Sequence, residues 1–202
     1  MKNTLLILIL FTVAFGSSAQ TAEQQQKLAT LVEKEAYIVD GDNIVVSRVI
    51  EDVPGTKDEI YIRVKDFFIR QYLDISSVLQ MDDKEAGVMI AIGIYEPVYQ
   101  RSSSWSGKQT CSAYHIIRVD IREGKLRVIC SANKWLFYNT DYLPEEIMII
   151  EHFPFSNKEF GSMKKQENTQ AFLNLVELMQ GSILNIERAV RLGVLATEMQ
   201  EW

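Results

Sequence analysis

The order of apolar and polar positions sets out the chain's elements one after another. Residues 44–51 are β-rich and follow a turn cluster, Asp40, Gly41, Asp42 and Asn43. Its two carboxylates lack the further loop ligands and the distant Glu of a calcium loop, so the cluster reads as a β-turn. Val53, Pro54 and Gly55 end that strand. Thr56 and Glu59 then have the spacing of a capping box. Ile60, Val64, Phe67 and Phe68 follow at i, i+4, i+7 and i+8, one stripe of a helix over 57–72. Residues 78–81 read as a short strand. Past a turn at 82–87, Val88, Ile90, Ile92 and Ile94 alternate with Met89, Ala91, Gly93 and Tyr95. A polar Ser-rich loop at 102–107 carries Trp105.

Two more strands flank Glu123 and Gly124. With those two residues as the hairpin loop, the pairs Ile121–Leu126, Val119–Val128, Ile117–Cys130 and His115–Ala132 share one face. Asp120–Arg127 and Tyr114–Asn133 share the other. A one-residue slip would set apolar side chains against charges, so the pattern fixes its own register. It leaves Arg122 beside Lys125, tolerable at an exposed hairpin end. Residues 139–165, with Pro144 and Pro154, show no clean period, and a strand around 148–151 is expected inside them. From 168 to 199 the helical period returns, with Phe172, Leu175, Val176, Met179, Ile183, Ile186, Val190 and Val194 as its stripe. Gly181 and Ser182 mark a place where that helix would kink or split. The order predicts an α+β domain: a mainly antiparallel sheet of about five strands, helix on one face, then a long C-terminal helix.

The N-terminus reads as an address. Lys2 precedes an apolar run at 5–15, and the small residues at 16–19 suit cleavage after Ala19, the pattern of a secretory signal peptide. A run of 11 residues is too short for a spanning helix, which needs about 20. The expectation is an exported protein, periplasmic or extracellular, with no transmembrane anchor. It divides into a signal peptide (1–19), a polar segment with Leu28, Leu31 and Val32 at helical spacing (20–36), the α+β domain (37–138) and a connector with helical extension (139–202).

Composition narrows the function classes. The 202 residues are 47% hydrophobic and 24% charged, an ordinary globular mix. Lys plus Arg number 21 against 27 Asp plus Glu, a net −6, and loss of Lys2 would make it 20 − 27 = −7. That balance opposes a nucleic-acid role. Two His and two Cys are too few for a His- or Cys-rich metal cage, and no motif asks for a cofactor.

Three stretches carry a resemblance. They are Val46-Ser47-Arg48-Val49-Ile50-Glu51-Asp52-Val53-Pro54-Gly55-Thr56-Lys57-Asp58-Glu59-Ile60-Tyr61, then Asp82-Asp83-Lys84-Glu85-Ala86-Gly87, then Gly124-Lys125-Leu126-Arg127. In this order they resemble domain of unknown function 4468, a module of exported Bacteroidetes proteins with a fold like the TATA-binding-protein (TBP) repeat. The resemblance spans residues 40–137. It implies a curved antiparallel sheet with helix on the convex side, and no functional residues, since the family has no established activity. Phe67 and Phe68 stand where members often carry a Trp, and the strand around Met89 is more apolar than the family leads one to expect.

No catalytic signature emerges. There is no Gly-x-Ser-x-Gly elbow, no His-Glu-x-x-His pair and no Gly-rich phosphate loop. His115 lies in phase with the inward apolar positions and reads as a core or rim histidine. His152 precedes Phe153 and Pro154 in an extended turn. The hairpin register puts Cys111 about 20 Å from Cys130 along the sheet, so two free thiols are expected, with Cys130 buried. Alternation places Met89, Tyr95, Tyr114, Ile116, Ile129, Trp135 and Phe137 on the sheet's outward face, with Trp105 beside it. An apolar face of that size marks a contact. Either the C-terminal helix covers it or it binds a partner, an envelope protein or a small apolar or sugar-like ligand. A small-ligand site or weak hydrolase at Trp105, Tyr114 and Trp135, with His152 as base, is the alternative. The last helix is also a surface for self-association.

Overall fold

The computed structural model describes residues 22–72, 74–103, 107–139, 145–160 and 163–198. The expected leader lies outside them. The chain opens with α1 (Ala22–Glu33), β1 (Ile38–Asp40) and β2 (Asn43–Ile50), and continues with α2 (Lys57–Gln71) and a single turn, α3 (Ile75–Val78). Then come β3 (Leu79–Asp83), β4 (Val88–Ser103), β5 (Gly107–Arg122), β6 (Lys125–Ala132), β7 (Lys134–Asn139), β8 (Glu145–Met148) and α4 (Lys165–Glu198). Eight strands form one antiparallel sheet in the order β1-β2-β6-β5-β4-β3, with β7 on the far half of β5 and β8 on β7. The sheet is curved and open, and it has more strands than the five expected. β1, with 3 residues, is too short to show an alternation. The strand expected around 148–151 is β8, lying a few residues earlier at Glu145–Met148, with a 3-10 turn at Ile149–Glu151 in the expected place.

Local sequence explains the best-determined elements. The Thr56 hydroxyl accepts from the Glu59 amide, and the Glu59 carboxylate accepts from the Thr56 amide at 2.7 Å, the capping box expected at the start of α2. The β5–β6 hairpin has the expected register, from Ile116↔Ser131 to Arg122↔Lys125. Gly124, at φ +66°, supplies its left-handed turn residue. At either side of the loop expected at 102–107, Ser102 pairs with Lys108 and Ser103 with Gly107, so β4 and β5 form a long hairpin. Residues 104–106, including Trp105, lie outside the described residues.

Among the described residues, the helices α2 and α4 cover one face of the sheet. Ile60, Val64 and Phe68 of α2 and Phe172, Leu175, Val176, Met179, Ile183, Ile186 and Val190 of α4 are buried in one core. They meet Ile44 and Val46 of β2, Met89 and Ala91 of β4, Ile117 and Val119 of β5, and Val128 and Cys130 of β6. Thus α4 does not cross the outward face; it packs beside α2 on the other side. Its 34 residues run through Gly181 and Ser182 without a break, about 50 Å at 1.5 Å per residue.

Candidate functional site

The covered face holds a small polar cluster among aliphatic neighbours. His115 of β5 is buried and stacks on Tyr95 of β4, with ring centroids 3.9 Å apart. Its Nε2 lies 3.0 Å from the Tyr72 hydroxyl at the end of α2. The Tyr95 hydroxyl in turn lies 2.8 Å from Ser182 Oγ on α4 and 3.1 Å from Cys130 Sγ. Gly93 stands opposite His115, where a Cβ would come within 2.8 Å of the imidazole, so the ring has room only because β4 lacks a side chain there. Burial pulls the His115 pKa down to about 4, and no carboxylate joins the cluster to oppose that. Burial pushes the Tyr72 hydroxyl and the Cys130 thiol up to about 12 each. Cys111 and Cys130 are both free, buried thiols. These groups stay neutral at physiological pH, and the cluster ties sheet, α2 and α4 together rather than presenting a reactive atom.

The open face is different in kind. The pairs Ile94↔Tyr114, Ile92↔Ile116 and Ile90↔Arg118 join β4 to β5, and Arg118↔Ile129 carries the row into β6. Beyond β6, Ser47↔Ile129 and Val49↔Arg127 continue it onto β2. Ile92, Ile94 and Ile116 are 39%, 41% and 40% exposed, and Val49 is 54% exposed. Hydrophobic side chains at the middle of a sheet are normally sealed; here a contiguous aliphatic row meets water.

Of the expected binding residues, the structure brings Tyr114, Ile116 and Ile129 together on this face. It moves four to the covered side. Met89 pairs with Val119 and Tyr95 with Ala113, so the alternation of β4 runs in the opposite phase to that expected. Trp135 pairs with Ala113 and Phe137 with Cys111, because Asn133 interrupts the strand between β6 and β7 and turns the following residues over. Trp135 and Met89 are fully buried. The residues that reasoning from sequence missed are Ile90, Ile92, Ile94 and Val49.

Of the residues of the alternative site, Trp105 lies outside the described residues. Tyr114 and Trp135 lie on opposite faces. His152 Nδ1 lies 3.0 Å from the Met148 carbonyl, and its ring stands edge-on to Phe160, which stacks on Trp135. Among the described residues no group of three His, Cys, Asp or Glu side chains is placed to hold a metal ion, and no helix is long and apolar enough to cross a membrane.

At the hairpin end the open face becomes charged. Asp120 accepts from Arg118 Nε at 2.8 Å and from Arg127 Nε and Nη2 at 3.0 and 2.6 Å. Partial burial raises its pKa, but the two guanidiniums outweigh that and hold the carboxyl below its ordinary value. At the other end Ile92, Tyr114, Ile116, Lys134 and Glu146 line a hollow of about 250 Å³, with Lys134 and Glu146 paired at 2.7 Å.

With this geometry in hand, the chain can be set beside known proteins. Residues 48–139 match the family described as domain of unknown function (DUF4468) with TBP-like fold. Two crystal structures are similar. One is a TBP-like protein from Parabacteroides distasonis, at TM-score 0.58 and 11% identity, over 77% of this chain and 97% of the other. The second is a DUF4468 family protein from Bacteroides ovatus, at TM-score 0.57 and 14% identity, over 77% of this chain and 90% of the other. At such identities the likeness is one of fold. No curated protein matches the chain.

Proposed function

We propose that this chain, built around a DUF4468 domain, is exported and acts as a non-catalytic interaction module whose open sheet face holds a partner. One observation carries the reading. The face opposite the helices keeps Ile92, Ile94 and Ile116 about two-fifths exposed in a contiguous row, although the chain possesses a long amphipathic helix that covers the other side. Aliphatic surface of this kind loses free energy in water and regains about 25 cal/mol per Å² when covered. The leader-like pattern before Gln20 supports export, and the net charge of −6 supports a partner other than nucleic acid.

Two experiments test it. N-terminal sequencing of protein recovered from the periplasm or medium should begin at Gln20; an intact Met1 in the cytoplasm contradicts export. Affinity purification of the mature chain from cell envelope should retain a stoichiometric partner, and Ile92→Glu with Ile116→Glu should lose it. A partner retained by both proteins places binding elsewhere.

A further inference from the structure

The open face does not end as it begins. Beyond Ile90 and Ile116 it runs into a depression of about 440 Å³ at the β5–β6 hairpin. Arg118, Arg122, Lys125 and Arg127 line this depression, and Asp120 is the single carboxylate in its wall. Four cations against one anion is a local excess of three positive charges, on a chain whose net charge is −6. Asp120 is already engaged by two guanidiniums. Arg122 and Lys125 stand directly opposite each other as a cross-strand pair, both exposed. Like charges so placed disfavour the hairpin, and a bound anion would relieve that.

From this we infer that the partner of the open face is an acidic polypeptide segment. Its carboxylates sit at the Arg118–Arg127 end, and neighbouring aliphatic side chains lie along Ile90, Ile92 and Ile116. The inference rests on the open face being the working surface and adds the partner's chemistry. Asp120 takes the Nε–Nη2 edge of Arg127 and the Nε of Arg118, so a carboxylate would meet their remaining Nη donors together with Arg122 and Lys125. Nucleic acid fits less well, because bases stack on aromatic rings and affinity follows the number of phosphate-contacting cations. Among the described residues, the rings on this face, Tyr114 and Tyr138, lie at its other end. Tyr114 is six residues from Asp120, roughly 20 Å along β5. The surface next to the cations is isoleucine and valine, which suits apolar side chains of a peptide.

The test titrates the mature chain from Gln20 with a short labelled peptide alternating Glu and Leu, read by fluorescence anisotropy. Its controls are the Lys–Leu and Ser–Leu counterparts and a DNA duplex. The Glu–Leu peptide should bind, weaken on raising salt, and lose at least about tenfold in affinity with Arg122→Glu plus Lys125→Glu, while the Lys–Leu peptide does not bind. Both substituted positions are exposed, and circular dichroism confirms that the variant folds. Five results overturn the inference. Tighter binding of DNA assigns the face to another class of partner. Equal binding of the Ser–Leu peptide, or binding that Arg122→Glu plus Lys125→Glu leaves unchanged but Ile92→Glu plus Ile116→Glu abolishes, keeps the face and discards the charge. Absence of Glu–Leu binding, or binding that survives both double variants, removes this partner chemistry, and in the second case the open-face reading as well.

Discussion

The two faces of this sheet are made from the same strands, residue by residue, and have opposite fates. On one side Met89, Ala91, Ile117, Val119 and Val128 are sealed under α2 and α4, and the hydroxyls of Tyr72 and Tyr95 find partners there on β5 and α4. On the other, Ile92, Ile94 and Ile116 lie open, followed by a cluster of cations. A single alternation along β4 and β5 therefore divides the covered face from the open one and, on the function proposed above, folding from recognition. The covered face should govern stability and the open face binding, with little exchange between them.

The harshest test of that division is a deletion beneath α4. Phe172 is fully buried and meets Tyr37 and Phe155 edge-on, so Phe172→Ala should destabilise by about 3–5 kcal/mol in a chemical denaturation curve. A loss below about 1 kcal/mol would mean that α4 does not seal the sheet.

The polar cluster gives a pH signature of the covered face. An unfolded imidazole protonates near its ordinary value of 6.5, the folded His115 only near 4. Between those values the unfolded state binds more proton, so the stability contribution is complete above about pH 6.5 and declines toward pH 4. The decline is about 1.4 kcal/mol per pH unit, ~3 kcal/mol at most. His115→Phe should flatten the stability profile within that window; an unchanged slope would show that the ring is not held neutral.

Gly93→Ala sharpens the same point more gently. Its Cβ would press on the His115 ring at 2.8 Å and on the Tyr72 ring at 3.0 Å, for a loss of about 1–3 kcal/mol. Combining it with His115→Ala should be less than additive, as measured by a double-mutant cycle. Thr56→Ala, which removes the α2 cap, should lower stability by about 1 kcal/mol and leave partner binding intact. Smallest of all should be the stability effect of Ile92→Glu or Ile116→Glu, within about 0.5 kcal/mol, although each damages binding. A large melting-temperature drop there would mean that the open face is structural.

How much of this the sequence discloses depends on where charge marks a face. Asp120, Arg118 and Arg127 fall on one side of β5 and β6, so the hairpin register was readable from their alternation with Val119, Ile121 and Val128. The capping box at Thr56 was equally plain. In β4 both alternating sets are apolar, Val88, Ile90, Ile92 and Ile94 against Met89, Ala91, Gly93 and Tyr95, and nothing local says which set is covered. Only the pairing of Met89 with Val119 decides it. The interruption at Asn133 has no signature in composition, yet it turns Trp135 and Phe137 to the core. The stripe of α4 announced burial without naming the surface it would meet, because amphipathicity fixes a helix's own face and not its partner's. Part of the candidate site was therefore legible, Tyr114, Ile116 and Ile129, and the isoleucines of β4 were not.

The most direct test of the division between the two faces is a labelling footprint on the chain from Gln20 onward carrying either Ile116→Cys or Val176→Cys. Both native thiols are buried, so the new thiol dominates the signal. Ile116→Cys should react rapidly with a maleimide in the isolated protein and become protected when envelope extract is added, while Val176→Cys stays slow throughout. A slow Ile116→Cys in the isolated chain, or one that no extract protects, would contradict the account.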